Sequence, residues 1–121
     1  MRLASGPEAA AEGRAAIHRL RADLDPPLME TLRLLVTELV TNSVRHADAD
    51  SITLRIAVGT SAVLTEVVDD GPSFEPDSVE RAGQDDRGWG LFLVERLADS
   101  WGVKDEGDSK RVWFELRRAP R

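Results

Sequence analysis

"VTELVTNSVRHA", residues 36–47, is a helix-forming run of Val, Leu and Ala that nevertheless carries Glu38, Asn42, Arg45 and His46 within nine positions. From Leu28 to Ala47 one apolar stripe takes Leu28, Leu32, Leu35, Val36, Leu39, Ser43 and Ala47, the spacing of a helix with one buried face. At about 100° per residue, Glu38 and Asn42 lie one turn apart and project side by side just beyond the edge of that stripe. They sit at a seam between core and solvent. Taken alone, an exposed Glu38 paired with Arg45 or Asn42 is the commoner arrangement for such residues. The sharper reading is a half-buried carboxylate and carboxamide, which together offer a general base and a neutral oxygen ligand for a hard cation such as Mg²⁺. His46 lies almost in line with the apolar face and reads as a packed residue, not a catalytic one.

Working outward, Asp25, Pro26 and Pro27 separate this helix from an earlier one spanning Ala9 to Leu24, since proline cannot continue a helix but suits its first turn. "RLAS" before Gly6 and Pro7 is a short candidate strand. After the breaker "ADADS", the stretch "SITLRIAV" alternates Ile52, Leu54, Ile56 and Val58 against Thr53, Arg55 and Ala57, as a strand with one buried face does. A turn at "GTSA" leads to the strand "VLTEVVD". The turn-rich "DDGPSFEPDS" stops it, and a charged, glycine-bearing loop runs from Glu75 to Arg87. "GWGLFLVERLADSWGV" is glycine followed by a helix of about ten residues. A weak strand "WGVKDE" precedes the closing strand "SKRVWFELRR", with Val112, Phe114 and Leu116 on one face. The order β-α-α-β-β-loop-α-β-β predicts an α+β sandwich of two layers, a mixed, mostly antiparallel sheet covered on one face by helices.

The bulk numbers bound the function. The 121 residues suit one domain, and 41% hydrophobic with 31% charged residues is a soluble globular composition. A net charge of -6 argues against a general nucleic-acid binder, leaving only a local basic patch such as "ELRRAPR". With no cysteine, disulfides and thiolate metal sites are excluded. Neither a signal-peptide core nor a run of about eighteen apolar residues is present, so a soluble, unexported, cytoplasmic protein with no membrane partner is expected.

Two further constellations carry chemistry. In "VVDDGPSF", counting back by two from Asp69 gives Val67, Thr65 and Val63, so Asp69 shares the strand face that looks towards the helix layer. An aspartate before such a turn commonly caps its own loop. It also suits a ligand with an amine donor, such as the exocyclic amine of adenine, with Gly71 allowing close backbone approach. In "RGWGLFLVERLAD", Gly88 and Gly90 directly before a helix leave backbone amides aimed at whatever lies ahead of it, and Arg87 adds charge, as phosphate oxygens require. A lone glycine pair is as often just a loop ending in a helix. Together, a base with a metal ligand, an adenine acceptor and a phosphate cradle are the parts of one nucleotide site.

In this order and at these distances, "ELVTNSVRHA", "VVDDGPSF" and "RGWGLFLVERLADSWGV" resemble the three nucleotide-binding boxes of the GHKL or Bergerat-type ATPases. Within that superfamily the chain most resembles the anti-sigma-factor serine kinases of the RsbW type, from about Arg2 to Leu116. The resemblance implies the histidine-kinase-like ATPase fold, ATP and Mg²⁺ as cofactors, Glu38 as general base towards a partner's hydroxyl and Asn42 as the Mg²⁺ ligand. It further implies Asp69 and Gly71 at adenine, Arg87, Gly88, Gly90 and Leu91 on the phosphate side, and residues 75–87 as a lid over the nucleotide. The implied partner is a sigma factor or an anti-sigma antagonist phosphorylated on serine or threonine, with a homodimer also implied. Two departures stand out. Ser73 replaces the second glycine of the aspartate box, and Ser109, Lys110 and Arg111 stand where the family usually has Gly-Lys-Thr. The small hydroxyl that helps hold adenine is thus missing and Arg111 is bulky, so binding should survive more readily than turnover. The rival expectation is an ATP-binding module that sequesters its partner with little or no catalysis. A phosphoacceptor helix at His18, in "HRLRADLDP", is set aside because a dimerisation hairpin does not fit before Leu28.

Overall fold

A computed structural model describes residues 1–3, 6–46, 52–70, 89–107 and 109–118, with the side chains of residues 45, 46, 89 and 90 outside the description. In chain order the elements are β1 (Arg2–Leu3), α1 (Ala9–His18), α2 (Pro26–His46), β2 (Ile52–Val58), β3 (Ala62–Asp69), α3 (Trp89–Leu97), β4 (Ser100–Asp105) and β5 (Lys110–Arg117). The predicted α+β order is present throughout. The strands form one sheet in the order β1-β2-β3-β5-β4, and the expected mostly antiparallel sheet is antiparallel at every pairing between described strands.

Alternation sorts the sheet into two faces. Ile52 and Leu54, Val63, Thr65, Val67 and Asp69, and Lys110, Val112, Phe114 and Leu116 are buried on the face beneath the helices. The helix layer meets them with Ile17 of α1, with Leu32, Leu35, Val36, Leu39 and Val40 of α2, and with Leu91 and Val94 of α3. Val40 lies off the predicted stripe yet is wholly buried, because α2 is covered on two sides, by the sheet and by its neighbouring helices. Gly13 of α1 lets the two helices approach closely, since a Cβ there would stand 3.2 Å from Val36 Cγ1. No helix among the described residues is long and apolar enough to cross a membrane.

Helix α1 ends six residues short of its predicted limit at Leu24. Beyond His18 the amides of Leu20, Arg21 and Asp23 bond three residues back, to Ile17, His18 and Leu20, a tightening that swings Leu24 into the core before Pro26 opens α2. The residue before a proline is disfavoured in helical geometry, so the turn must be complete by Asp25. Arg118 then ties this turn to the opposite layer, donating to the carbonyls of Asp23 at 2.6 Å and Gly59 at 2.9 Å. At the other end of β5, Gly107 turns the chain from β4 at φ 86°, a left-handed conformation that favours glycine, and its amide donates to Asp105 Oδ1 at 2.9 Å. That turn sets the register in which Lys110 faces Asp69 across β3 and Asp105 across β4.

Thr65 sits between Ile56 and Phe114 in the ladder, wholly buried, and its hydroxyl has no hydrogen-bond partner among the described residues. A buried hydroxyl left in this way costs the water it gave up. Thr65→Val keeps the shape and removes the hydroxyl, so it is expected to raise unfolding free energy by about 1 kcal/mol in urea titrations. Destabilisation of that size instead would mean that the hydroxyl is satisfied in solution.

Candidate functional site

The sequence places its polar candidates along one helix and at one end of the sheet, and in the structure a hydrogen bond from Ser43 links that helix to that sheet end. Asp69 is the last residue of β3, and its side chain points towards the helices with 2% of its surface exposed. Ser43, from the last turn of α2, donates its Oγ hydrogen to Asp69 Oδ2 at 2.6 Å. Ser43 is thus both a member of the buried stripe and the link between the helix layer and this carboxylate. The simple alternative, an aspartate engaged only with its own loop, is replaced by contacts 26 residues away in sequence on α2 and across the ladder on β5. Asn42 adjoins Ser43, and Glu38 lies one turn earlier; both are half-buried, as residues at the edge of the stripe should be.

The group that sequence reasoning passed over is Lys110. Its Cα is paired with that of Asp69, and its Nζ lies 3.7 Å from Asp69 Oδ2, with only 7% of the residue exposed. Counting back by two from Phe114 and Val112 puts Lys110 on the inward row, a signal present in the sequence. Burial pushes the Lys110 ammonium below its ordinary 10.5, because removal from water disfavours the charged form, and the nearby Asp69 only partly restores it.

Arg111 is a correction. Expected to crowd the adenine position, it lies on the opposite face of the sheet, because adjacent strand residues point to opposite sides. There its guanidinium forms ion pairs with Glu66 at 3.6 Å and Glu106 at 3.0 Å. Glu66 also meets Arg55 at 3.7 Å, so the outer face carries a small charge network of its own. A second difference concerns Gly90, expected ahead of the third helix. It is the second residue of α3, with Leu91 next to it buried in the core at 3% exposure. The unpaired amides of this helix are then those of Trp89, Gly90 and the residues after them. Gly71, Ser73, the segment 75–87 with Arg87, Gly88, Ala47 and the side chains of Arg45 and His46 lie outside the described residues. His18 is exposed at the end of α1.

A buried carboxylate can accept from an amine, a half-buried carboxamide oxygen suits Mg²⁺, and a half-buried carboxylate beside it suits proton transfer.

Residues 3–116 match the histidine kinase-like ATPase domain family. Serine-protein kinase RsbW of Listeria monocytogenes serotype 4a is 31% identical over 127 residues, an alignment covering 90% of this chain and 81% of that protein. The protein of the same name from Listeria innocua serovar 6a is 30% identical over the same shares. Among solved structures, Acinetobacter baumannii histidine kinase AdeS superposes with a TM-score of 0.60 at 12% identity, over 74% of this chain and 46% of that one. The histidine kinase domain of the Erythrobacter litoralis EL346 blue-light activated histidine kinase gives 0.55 at 22% identity, over 89% and 58%. The chain therefore spans about half the length of these two structures, and at such identities they speak for the fold alone.

The buried lysine makes a stability prediction with a definite sign. Its folded value lies below 10.5, so between the two the unfolded chain binds more protons, and stability rises with pH. The contribution is complete above 10.5 and lost as pH falls through the folded value. With two lysines, no cysteine and no tyrosine, few other side chains titrate there. From neutral pH to 10.5 the unfolding free energy of the wild type is expected to climb relative to Lys110→Met in urea titrations. A difference that falls over that range would contradict the assignment.

Proposed function

The chain belongs to the histidine kinase-like ATPase domain family, and from that premise we propose that it is an ATP- and Mg²⁺-dependent serine/threonine protein kinase of the anti-sigma-factor type. The observation that carries this reading is the buried Asp69 carboxylate, bonded to Ser43 at the foot of the same helix that bears Asn42 and Glu38. In this reading Asp69 accepts a hydrogen bond from the adenine amine, with Gly71 alongside. Arg87, Gly88, Gly90 and Leu91 line the phosphate side, where the unpaired amides of a helix's first turn favour anionic oxygens. Asn42 offers its carbonyl oxygen to Mg²⁺, which when bound offsets the charge of the phosphates.

Glu38 takes the proton of the partner's hydroxyl as that oxygen bonds to the γ-phosphorus and ADP departs with the broken bond's electrons. Phosphoryl transfer asks a protein chiefly for positioning and charge compensation, so this short set suffices. The partner is a sigma factor, an anti-sigma antagonist carrying the acceptor hydroxyl, or each in turn, and the protein acts as a homodimer in the cytoplasm. The rival reading, an ATP-binding module that holds its partner without phosphorylating it, leaned on Ser73 and on Arg111. Arg111 faces the other side of the sheet and gives it no support.

With labelled ATP and the cognate antagonist, Glu38→Gln is expected to lower phosphoryl transfer by about 10²- to 10⁴-fold while calorimetric ATP affinity holds. Unchanged transfer would remove Glu38 as the base, and a wild type that binds ATP tightly but transfers nothing would favour the module. Asn42→Ala should bind ATP equally with and without Mg²⁺, whereas the wild type should bind better with it. A metal effect that survives the substitution would place the cation elsewhere.

A further inference from the structure

We propose that Lys110 is a second base-reading residue, its ammonium donating to ring nitrogen N1 of adenine beside the exocyclic amine that Asp69 accepts; this rests on the nucleotide reading above. The two side chains stand directly opposite each other on β3 and β5, on the helix-covered face, with Nζ 3.7 Å from Oδ2. Both are almost wholly buried, at 2% and 7% exposure. An ammonium carries three N–H donors on a rotatable stem, so it can neighbour a carboxylate and donate to a second acceptor at once.

What this adds to Asp69 is discrimination. A carboxylate alone accepts from any exocyclic amine. A carboxylate and an ammonium side by side present an acceptor next to a donor, the complement of adenine's edge, where the amine donor adjoins the N1 acceptor. Guanine offers the reverse order along the same edge, a carbonyl acceptor beside an N1–H donor. The shared register fixes which of the two protein groups comes first, because Asp69 is also held by Ser43 from the helix layer at 2.6 Å and cannot exchange places with Lys110.

The test compares ATP with 1-deaza-ATP, in which N1 is replaced by C–H and the amine is kept. By calorimetry the wild type is expected to bind the deaza analogue roughly ten- to a hundred-fold more weakly, the effect of losing one charge-assisted hydrogen bond. Lys110→Met should bind both alike, and the comparison in the wild type stands even if that variant folds poorly. Equal wild-type affinity for the two nucleotides would overturn the role of Lys110 and leave the nucleotide reading intact, whereas a preference for GTP over ATP would overturn the role of Lys110 and the adenine role of Asp69 together. Binding of none of the three would overturn both.

Discussion

At the Asp69 carboxylate the helix and sheet layers are joined by polar contact inside the core. Ser43 reaches it from α2 and Lys110 from the neighbouring strand, and both meet the same oxygen. Over most of the core the helices rest on the sheet through apolar side chains, which fix distance but tolerate small slides. A hydrogen bond of 2.6 Å from a helix hydroxyl to a strand carboxylate does not. It pins the turn of α2 that carries Asn42 to the end of β3, and through the rigid helix it sets where Glu38 stands, four residues earlier. Loss of that bond would leave the candidate groups on their elements but free the elements to shift.

Such a clamp is not explained by stability. Carrying a carboxylate and an ammonium out of water costs several kcal/mol each by general estimates, and their attraction often fails to repay it. Here the lowered proton affinity of Lys110 says which effect wins: desolvation outweighs Asp69. The buried Val67 and Val112, two pairs along the same ladder and on the same face, show what a purely structural solution there looks like. A charged pair where an apolar pair would have packed is a feature to be accounted for by what binds there, and that consideration joins the family assignment to the particular residues of this chain.

Much of this was legible in the sequence, because it depends on two periods. The 3.6-residue repeat of the second helix put Leu32, Leu35, Val36 and Leu39 inside and Glu38 and Asn42 at the seam, and the two-residue repeat of the third strand turned Asp69 inward. What was not legible was set by partners. Val40 is buried because a neighbouring helix covers a face that the stripe leaves outside, and the first helix stops at His18 because the chain must reverse before Pro26. Ser43 could be placed on the buried face but not bonded to Asp69, since nothing in a linear pattern says which strand end a helix turn will meet.

The errors and omissions at the last strand share one cause. "SKRVW" contains two adjacent basic residues, and a strand sends neighbours to opposite faces, so one of them had to enter the helix-covered side and the other had to leave it. Attention to size favoured Arg111 as the residue that disturbs the site, but phase decides, not bulk. Val112 and Phe114 are both buried, so parity assigns Lys110 to the interior and Arg111 to the charge network with Glu66 and Glu106. The same parity makes the two positions unequal in consequence. A change at Arg111 alters half-buried ion pairs on the face away from the helices, whereas a change at Lys110 alters the charge beside Asp69 and so the chemistry that a ligand meets. Register, fixed by the Gly107 turn, is therefore what decides which of two chemically similar residues belongs to the site.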